Sequence, residues 1–170
     1  MTSLVRPQSR IKSNKLCVCT PHAYEWGYTY GAPQAISPVD RMRKVLDYAV
    51  RAVPAGKLLL GFSNYAYDWT LPWKQGTAAR LLSNAGAAEL AVSRGAEIRF
   101  DARAQAPWFR YADAERRTHV VWFEDARSAL ARMRLVEEYG LAGLSVWTAD
   151  RLWRSALAVL ESLYSVEKNL

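Results

Sequence analysis

Two short apolar runs each follow a segment of helical periodicity, KLLLGF at 57–62 and LSVW at 144–147. Strands that are apolar on both faces are typical of parallel sheets, which helices cover on each side. Parallel strands also need a long crossover between them, and that crossover is usually a helix. The alternation of helix and strand therefore predicts a parallel α/β architecture, to which 15–23 contributes a further strand.

The helix before the first apolar run has clear end signals. Ser37 is expected as its N-cap and Pro38 as its first helical residue, and Pro54 and Gly56 end it. Its apolar residues recur with helical spacing along one face: Met42, Val45, Leu46, Ala49, Val50 and Val53. This pattern predicts an amphipathic helix packed on the sheet.

A segment with a different pattern of predicted elements separates the two apolar runs. It predicts one helix and three short strands, which is typical of a small α+β insertion, and these elements are expected within 78–94 and at 97–101, 105–112 and 117–123. Helices are predicted again at 126–139 and 151–164, the first after Glu124 and Asp125, where carboxylates favour the helix dipole. The predicted organisation is a disordered or displaced leader at 1–14, a parallel α/β part at 15–70 and 125–170, and the insertion at 71–124.

The net charge of +7 does not indicate a nucleic-acid partner. Four basic residues and no acid precede Glu25, so the remaining chain carries 19 basic and 16 acidic residues, a net charge of +3. A basic leader differs from the basic face that nucleic-acid recognition needs. We therefore expect no nucleic acid among the partners.

The cysteines and histidines do not form a metal-ligand pattern. Cys17 and Cys19 lack a second ligand pair, and neither His22 nor His119 has ligand spacing to them. We expect no metal and no cofactor. The sequence also contains neither an apolar stretch long enough to cross a membrane nor a secretion signal, so we expect no membrane partner and a cytoplasmic location for the chain as written.

Tryptophan and tyrosine are abundant, with seven Trp and nine Tyr against four Phe. These side chains combine a flat apolar face with a hydrogen-bonding edge, which suits polar ligands such as sugars. Many of them follow predicted strands, where parallel α/β barrels place their ligands. The predicted binding cleft comprises Tyr24, Glu25, Trp26, Asn64, Tyr65, Tyr67, Asp68, Trp69 and Trp147. In the alternative interpretation, the aromatic residues pack the core.

Four ordered blocks resemble family 18 glycoside hydrolases, particularly the bacterial spore-cortex and spore-germination branch. The blocks are YEWGYTYG at 24–31, GFSNYAYDW at 61–69, VWFEDARS at 121–128 and GLSVW at 143–147. The resemblance implies that the chain is the C-terminal portion of a (β/α)8 barrel, about three βα units, with a small α+β insertion. It also implies an amino-sugar polysaccharide or oligosaccharide as the ligand.

The resemblance further implies a substrate-assisted retaining mechanism. A Glu protonates the glycosidic oxygen and the substrate's own N-acetyl oxygen attacks the anomeric carbon. In this family, a Tyr on the sixth strand binds the acetamide group, and this position falls on Tyr24. A Trp on the eighth strand forms the base of the sugar subsite, and this position falls on Trp147. Glu25 falls on the acidic position after the Tyr. The cleft block of the seventh strand falls on Asn64, Tyr65 and Trp69.

The general acid of the family is missing from this sequence. It comes from an Asp-x-x-Asp-x-Asp-x-Glu motif on the fourth strand, and no such motif occurs here. The acids at 113–115 are expected in a solvated hairpin turn. The sequence therefore predicts a glycosidase fragment that is inactive alone and associates with itself or with the missing N-terminal segment. The alternatives are a non-catalytic carbohydrate-binding module and an unrelated α/β protein.

Overall fold

The computed structural model describes residues 4–5, 19–20, 23–147 and 153–164. The described chain forms two β-sheets with four α-helices and one 3-10 turn. The elements in chain order are β1 (Leu4–Val5), α1 (Val39–Ala52), a 3-10 turn (Ala55–Lys57), β2 (Leu59–Ser63), β3 (Ala66–Leu71), β4 (Arg80–Leu82), α2 (Asn84–Ser93), β5 (Arg99–Asp101), β6 (Ala106–Ala112), β7 (Thr118–Trp122), α3 (Ala126–Glu138), β8 (Gly143–Trp147) and α4 (Arg154–Leu163).

The first sheet has the strand order β1-β8-β2 and contains the predicted parallel pair. Strands β2 and β8 run parallel, in register from Leu59 opposite Gly143 to Ser63 opposite Trp147. All five residues of β2 are buried, as expected for a strand covered on both faces. Of the strand predicted at 15–23, Cys19 forms a parallel bridge to Leu58, and 15–18 and 21–22 lie outside the described residues.

Strand β1 lies within the segment that the sequence analysis treats as a leader. Leu4 and Val5 pair antiparallel with Ser145 and Leu144, at the edge of β8 that β2 leaves open. An open strand edge presents unpaired backbone groups, and a short Leu-Val segment can satisfy them. The prediction of a disordered or displaced leader at 1–14 stays a prediction, and within the described residues Leu4 and Val5 are ordered as a strand.

Helices α1, α3 and α4 share one hydrophobic core with β2 and β8. Met42 and Leu46 of α1 have no exposed surface, which confirms the predicted apolar stripe. The predicted cap of this helix is wrong, because Pro38 takes the N-cap position and no side chain caps the helix. The Ser37 hydroxyl instead lies 2.6 Å from the Ser63 hydroxyl, which ties the helix start to the end of β2.

The second sheet is antiparallel, with the strand order β4-β3-β7-β6-β5. Helix α2 packs its Ala87 and Ala91 against Phe109 and Val121 on one face of this sheet. The structure confirms the three predicted strands and the helix between 78 and 94. Strand β3 begins at Ala66, so the α+β sheet starts before the predicted boundary at residue 71.

Two hydrogen bonds to backbone carbonyls connect the second sheet to the helical layer. The amide of Val39, at the start of α1, donates to the carbonyl of Ala104 at 3.0 Å. Arg132 of α3 donates from Nη1 to the carbonyl of Gln105, also at 3.0 Å. The loop between β5 and β6 therefore contacts two helices of the parallel part, which sets the position of the insertion.

Candidate functional site

The segment that carries Tyr24, Glu25 and Trp26 is held by backbone hydrogen bonds at the base of a loop, between residues 26–27 and residues 35–36. The amide of Trp26 donates to the carbonyl of Ile36, and the amide of Gly27 donates to the carbonyl of Ala35. A Cβ atom at Gly27 would lie 2.3 Å from the carbonyl oxygen of Gln34, so this close approach requires glycine. The loop thereby fixes where the three predicted site residues stand.

Tyr65 and Glu25 meet at the ends of neighbouring chain segments. The Tyr65 hydroxyl lies 3.5 Å from Glu25 Oε1, and Glu25 is exposed while Tyr65 is buried. Glu25 has a φ of 69°, a left-handed conformation that is uncommon for a residue with a Cβ atom. Strained backbone of this kind clusters at functional sites, which makes Glu25 a candidate site residue.

The tyrosines beside Glu25 are held in their protonated form. Burial, followed by the negative charge of Glu25, raises the pKa of Tyr65 far above its usual range. The same two causes raise the pKa of Tyr24. A protonated phenol donates a hydrogen bond, so both hydroxyls can act as donors toward a carbonyl or hydroxyl oxygen of a ligand. The structure therefore brings together Tyr24, Glu25 and Tyr65 as a polar, aromatic cluster.

The remaining predicted residues take different positions. Asn64 is fully buried next to Tyr65, and Trp26 is partly buried against the main core. The backbone of Trp147 pairs with Ser63 at the end of β8, but its side chain lies outside the described residues. Trp147 is therefore placed at the same end of the sheet as the cluster, and its role in binding stays a prediction.

Strand β3 takes Tyr67, Asp68 and Trp69 into the second sheet. The Trp69 side chain is buried, and its Nε1 donates to the carbonyl of Gly31 at 2.8 Å. Tyr67 is also buried, and its hydroxyl lies 3.2 Å from Thr29 Oγ1. These contacts hold the loop of the candidate site against the insertion. Direct binding of a ligand by the three residues stays a prediction.

The Asp68 carboxylate is the centre of a buried polar network that sequence reasoning missed. Its Oδ2 accepts from Tyr111 and Arg80, each at 2.8 Å, and its Oδ1 lies 2.8 Å from His119 Nδ1. The other ring nitrogen of His119 lies 3.2 Å from Asp113 Oδ2, in the turn between β6 and β7. The signal that could have revealed it is the alternation at 66–71, where Tyr67, Trp69 and Leu71 alternate with Asp68 and Thr70, a pattern typical of a strand.

The described residues present neither a metal site nor a membrane span. No group of three or more His, Cys, Asp or Glu side chains within them is arranged to hold a metal ion. Within the same residues, no helix has the length and apolar character needed to cross a membrane. Cys19 is an exposed free thiol.

Comparison with known proteins gives a consistent result. The family model for glycosyl hydrolases family 18 matches residues 28–151. The cortical fragment-lytic enzyme of Bacillus subtilis is 45% identical over 146 residues, which are 85% of this chain and 34% of that protein.

Two solved structures support the same relationship. The Bacillus cereus spore cortex-lytic enzyme SleL has a TM-score of 0.86 at 37% identity, covering 89% of this chain and 35% of the other. A chitinase from Chromobacterium violaceum has a TM-score of 0.78 at 31% identity, covering 85% and 44%.

The chain spans about a third of the length of the cortex-lytic relatives that it matches. The family match covers most of the chain and includes residues 28–36 of the loop, the insertion and β8, and it begins after Tyr24, Glu25 and Trp26. It confirms the resemblance carried by the four sequence blocks, including the relation to spore cortex-lytic enzymes. The chain is thus a member of glycosyl hydrolase family 18.

Proposed function

We propose that this chain forms the C-terminal part of a (β/α)8 barrel and supplies one side of a cleft for N-acetylglucosamine-containing polymers, such as peptidoglycan, spore cortex or chitin. The single observation that carries the proposal is the cluster of Tyr24, Glu25 and Tyr65, where two chain segments present protonated phenols beside a carboxylate. The names of the relatives, a cortex-lytic enzyme and a chitinase, agree with such a substrate.

In the proposed mechanism, the residues of this chain position the amino sugar. The phenol of Tyr24 donates to the acetamide oxygen, which holds that oxygen near the anomeric carbon. Tyr65 donates from the neighbouring side and orients Glu25. The ring of Trp147 supports the sugar face by stacking, since pyranose rings expose C–H groups on that face.

We further propose that hydrolysis needs a second chain segment. The general acid of this mechanism is a Glu in an acidic motif of the fourth strand, and that motif is absent from the sequence. Glu25 cannot replace it simply by being acidic, because a general acid must reach the glycosidic oxygen in the bound substrate. This chain therefore binds amino sugars and does not cleave them alone.

A binding experiment tests the site. Di- and tetra-N-acetylglucosamine are titrated into the wild-type chain and into Trp147→Ala and Trp153→Ala. Trp153 is a matched control, because it stacks on Phe62 with ring centroids 6.2 Å apart and packs against the main core. Trp147→Ala should weaken binding strongly and Trp153→Ala little. Equal losses in two folded variants would contradict the site.

An activity experiment separates the two candidate functions. The chain alone should not release reducing sugar from N-acetylglucosamine oligomers or spore cortex. Addition of a segment holding the first five βα units of a cortex-lytic relative should restore turnover, and Tyr24→Phe should abolish it. Binding that persists without any restored turnover would favour a non-catalytic carbohydrate-binding module. Turnover by the chain alone would show that its own carboxylates supply the acid.

A further inference from the structure

A second pocket lies on the face of the insertion's sheet that points away from the candidate site. Tyr67 and Asp68 are successive residues of β3, so their side chains project to opposite faces of the sheet. Tyr67 packs against Tyr65 of the candidate site, whereas Asp68 lines a pocket of about 380 Å³. Small-ligand sites have volumes of roughly 300–1,000 Å³. The charged and titratable groups that line this pocket are Asp68, Arg80, Arg94, Asp113, Glu115, Arg117 and His119.

The floor of this pocket is a row of side chains that hold one another in place. The imidazole of His119 lies between two carboxylates, with Nδ1 2.8 Å from Asp68 Oδ1 and Nε2 3.2 Å from Asp113 Oδ2. The ring of Tyr111 stacks on the same imidazole, with the ring centroids 4.7 Å apart. The side chains of His119 and both carboxylates are at most 11% exposed. The pocket therefore has two ends, one at Asp68 and one at Asp113, with an imidazole ring between them.

The end at Asp68 carries an excess of positive charge. Arg80 pairs with Asp68, with 2.8 Å between Nη2 and Oδ2, and the Arg80 side chain is 59% exposed. The guanidinium of Arg94 lies over the ring of Tyr111, 5.6 Å from its centroid. Within the described part of the chain, no carboxylate pairs with Arg94. Two guanidinium groups therefore share one carboxylate at this positive end.

The two guanidinium groups converge on the same point of the pocket. Burial, followed by the hydrogen bond to Asp68, raises the pKa of Tyr111, and the positive charges of Arg80 and Arg94 both act to lower it. Both charges therefore lie near the Tyr111 hydroxyl. Arg94 is exposed, so its N–H donors are accessible to a ligand.

The end at Asp113 has the opposite charge balance. The guanidinium of Arg117 pairs with two carboxylates, Asp113 at 2.7 Å and Glu115 at 3.1 Å. The Glu115 side chain is 65% exposed, so it can accept a further hydrogen bond from a ligand. One guanidinium group therefore faces two carboxylates at this negative end.

A pocket with opposite charges at its two ends fits a ligand that carries both charges. A ligand carboxylate accepts paired N–H groups from the guanidiniums of the positive end, and a ligand ammonium donates to the carboxylates of the negative end. A phosphate dianion would instead be repelled by Asp113 and Glu115.

The separation of the two ends indicates the length of the ligand. An imidazole ring and a contact on each side of it lie between the carboxylates of Asp68 and Asp113. The two charges of an α-amino acid are separated by one carbon atom, which is too short for this span, whereas the termini of a dipeptide stand farther apart. Ala78, Leu90 and Ala114 line the pocket with apolar surface that suits small side chains.

We propose that this pocket is a second ligand site, which binds a small dipolar molecule of the dipeptide class. Its carboxylate lies between Arg80 and Arg94, and its ammonium group lies at Asp113 and Glu115. The site uses no residue of the Tyr24–Glu25–Tyr65 cluster and faces away from it. The inference therefore goes beyond the proposed function and does not depend on it.

The first test compares three forms of one peptide by isothermal titration calorimetry with the wild-type chain. Alanylalanine carries both charges, N-acetyl-alanylalanine lacks the ammonium group, and alanylalanine amide lacks the carboxylate. Alanylalanine should bind about tenfold more tightly than either other form, because each of these loses one charge-assisted contact. Inorganic phosphate should bind more weakly than alanylalanine. Equal affinity for the three peptides, tighter binding of phosphate, or no binding of any peptide would overturn the site.

The second test removes one charge at each end of the pocket. Arg94→Gln should weaken alanylalanine binding about tenfold and leave the affinity for its amide unchanged. Glu115→Gln should weaken alanylalanine binding about threefold, since an exposed ion pair contributes less. Both side chains are exposed, so both variants should fold, which circular dichroism checks.

Two matched controls lie outside the pocket. Arg110→Gln removes a guanidinium that lies 5.8 Å from the centroid of the Trp108 ring, on the opposite face of the same sheet. Glu97→Gln removes a 77% exposed carboxylate that pairs with Arg99. Both controls should leave alanylalanine binding unchanged. An equal loss in the controls, or unchanged binding in both Arg94→Gln and Glu115→Gln, would overturn the site. Binding of N-acetylglucosamine oligomers should be the same in all four variants, so failure of this site leaves the proposed function standing.

Discussion

At the residue scale, Asp68 shows how one carboxylate organises the insertion. It lies on β3 with its side chain 1% exposed and contacts side chains of β4, β6 and β7. A buried carboxylate is stable only when hydrogen bonds replace its water. Burial, followed by the hydrogen bond to Asp68, raises the pKa of Tyr111 to about 12, which keeps this phenol a donor.

Asp68→Asn should therefore destabilise the chain. The amide has the same shape as the carboxylate but lacks the negative charge to which Arg80, Tyr111 and His119 bond. We therefore expect a loss of about 2–4 kcal/mol in the free energy of unfolding. Urea denaturation followed by circular dichroism measures it. Glu89→Gln, on the exposed surface of α2, is the control and should change stability little. An unchanged midpoint for Asp68→Asn would contradict the structural role of the network.

Asp113 should contribute an acid-sensitive part of stability. Burial acts to raise the pKa of Asp113, but hydrogen bonds with the backbone and side chain of Arg117 and with His119 hold it well below its usual range. A carboxyl whose folded pKa is lowered stabilises the fold above its unfolded pKa, and this contribution is lost as the pH falls toward the folded pKa.

Asp113→Asn should accordingly be less stable than the wild type at pH 7, and the difference should shrink as the pH falls below ~4. Thermal melts at several pH values between 7 and 2.5 measure this convergence. Glu115→Gln in the same turn, with its side chain 65% exposed, serves as the control. A constant difference at all pH values would show that the Asp113 charge does not contribute.

At the element scale, the start of α3 joins the insertion to the parallel part. Asp125 caps the helix in a capping box with Ser128, which confirms its predicted position at the helix start. Glu124 does not act as a dipole carboxylate, because it is buried and its Oε2 lies 2.9 Å from Arg132 Nη1. Burial raises the pKa of Glu124 to about 7, against the attraction of Arg132.

Removing one member of the Glu124–Arg132 pair should lower the free energy of unfolding more than replacing both members with apolar residues. Glu124→Gln leaves the Arg132 charge buried without its partner, and we expect a loss of about 3–5 kcal/mol in unfolding free energy. The double variant Glu124→Leu with Arg132→Met removes both charges and should recover most of that loss. Chemical denaturation of the three proteins checks the order. A double variant less stable than Glu124→Gln would contradict it.

At the scale of the whole molecule, the chain holds a parallel pair of strands and its helices but spans about a third of its relatives. A closed barrel with a packed interior needs about eight strands. Within the described residues, strand β1 pairs with β8 at Leu144 and Ser145. We therefore propose that the parallel sheet completes itself with a second copy of the chain or with a further segment of the barrel.

Association should appear as concentration dependence. Sedimentation velocity should show species larger than a monomer, and the melting temperature should rise with protein concentration, because binding between folded chains stabilises them. Val92→Ser is the control, since Val92 is 80% exposed on α2 and lies in the insertion. A compact monomer with a concentration-independent, cooperative transition would show that this chain closes its own core.

The sequence determined the elements whose signals are local. The apolar runs at 57–62 and 144–147 and the stripe containing Met42 and Leu46 predicted the parallel strands and α1. The four sequence blocks were sufficient for the family. Each of these signals lies within a short window, where spacing and residue type decide the outcome.

Only the tertiary structure decided the partners of polar groups. Ser37 looked like a helix cap, yet its hydroxyl lies beside that of Ser63, 26 residues away in the chain. Glu124 looked like a helix-dipole carboxylate, yet it pairs with Arg132 inside the core. Asp68 was predicted in the cleft, and its side chain bonds to residues on three other strands, β4, β6 and β7. Local spacing cannot reveal such contacts, because burial removes water from a polar group and the fold alone determines which distant group replaces it.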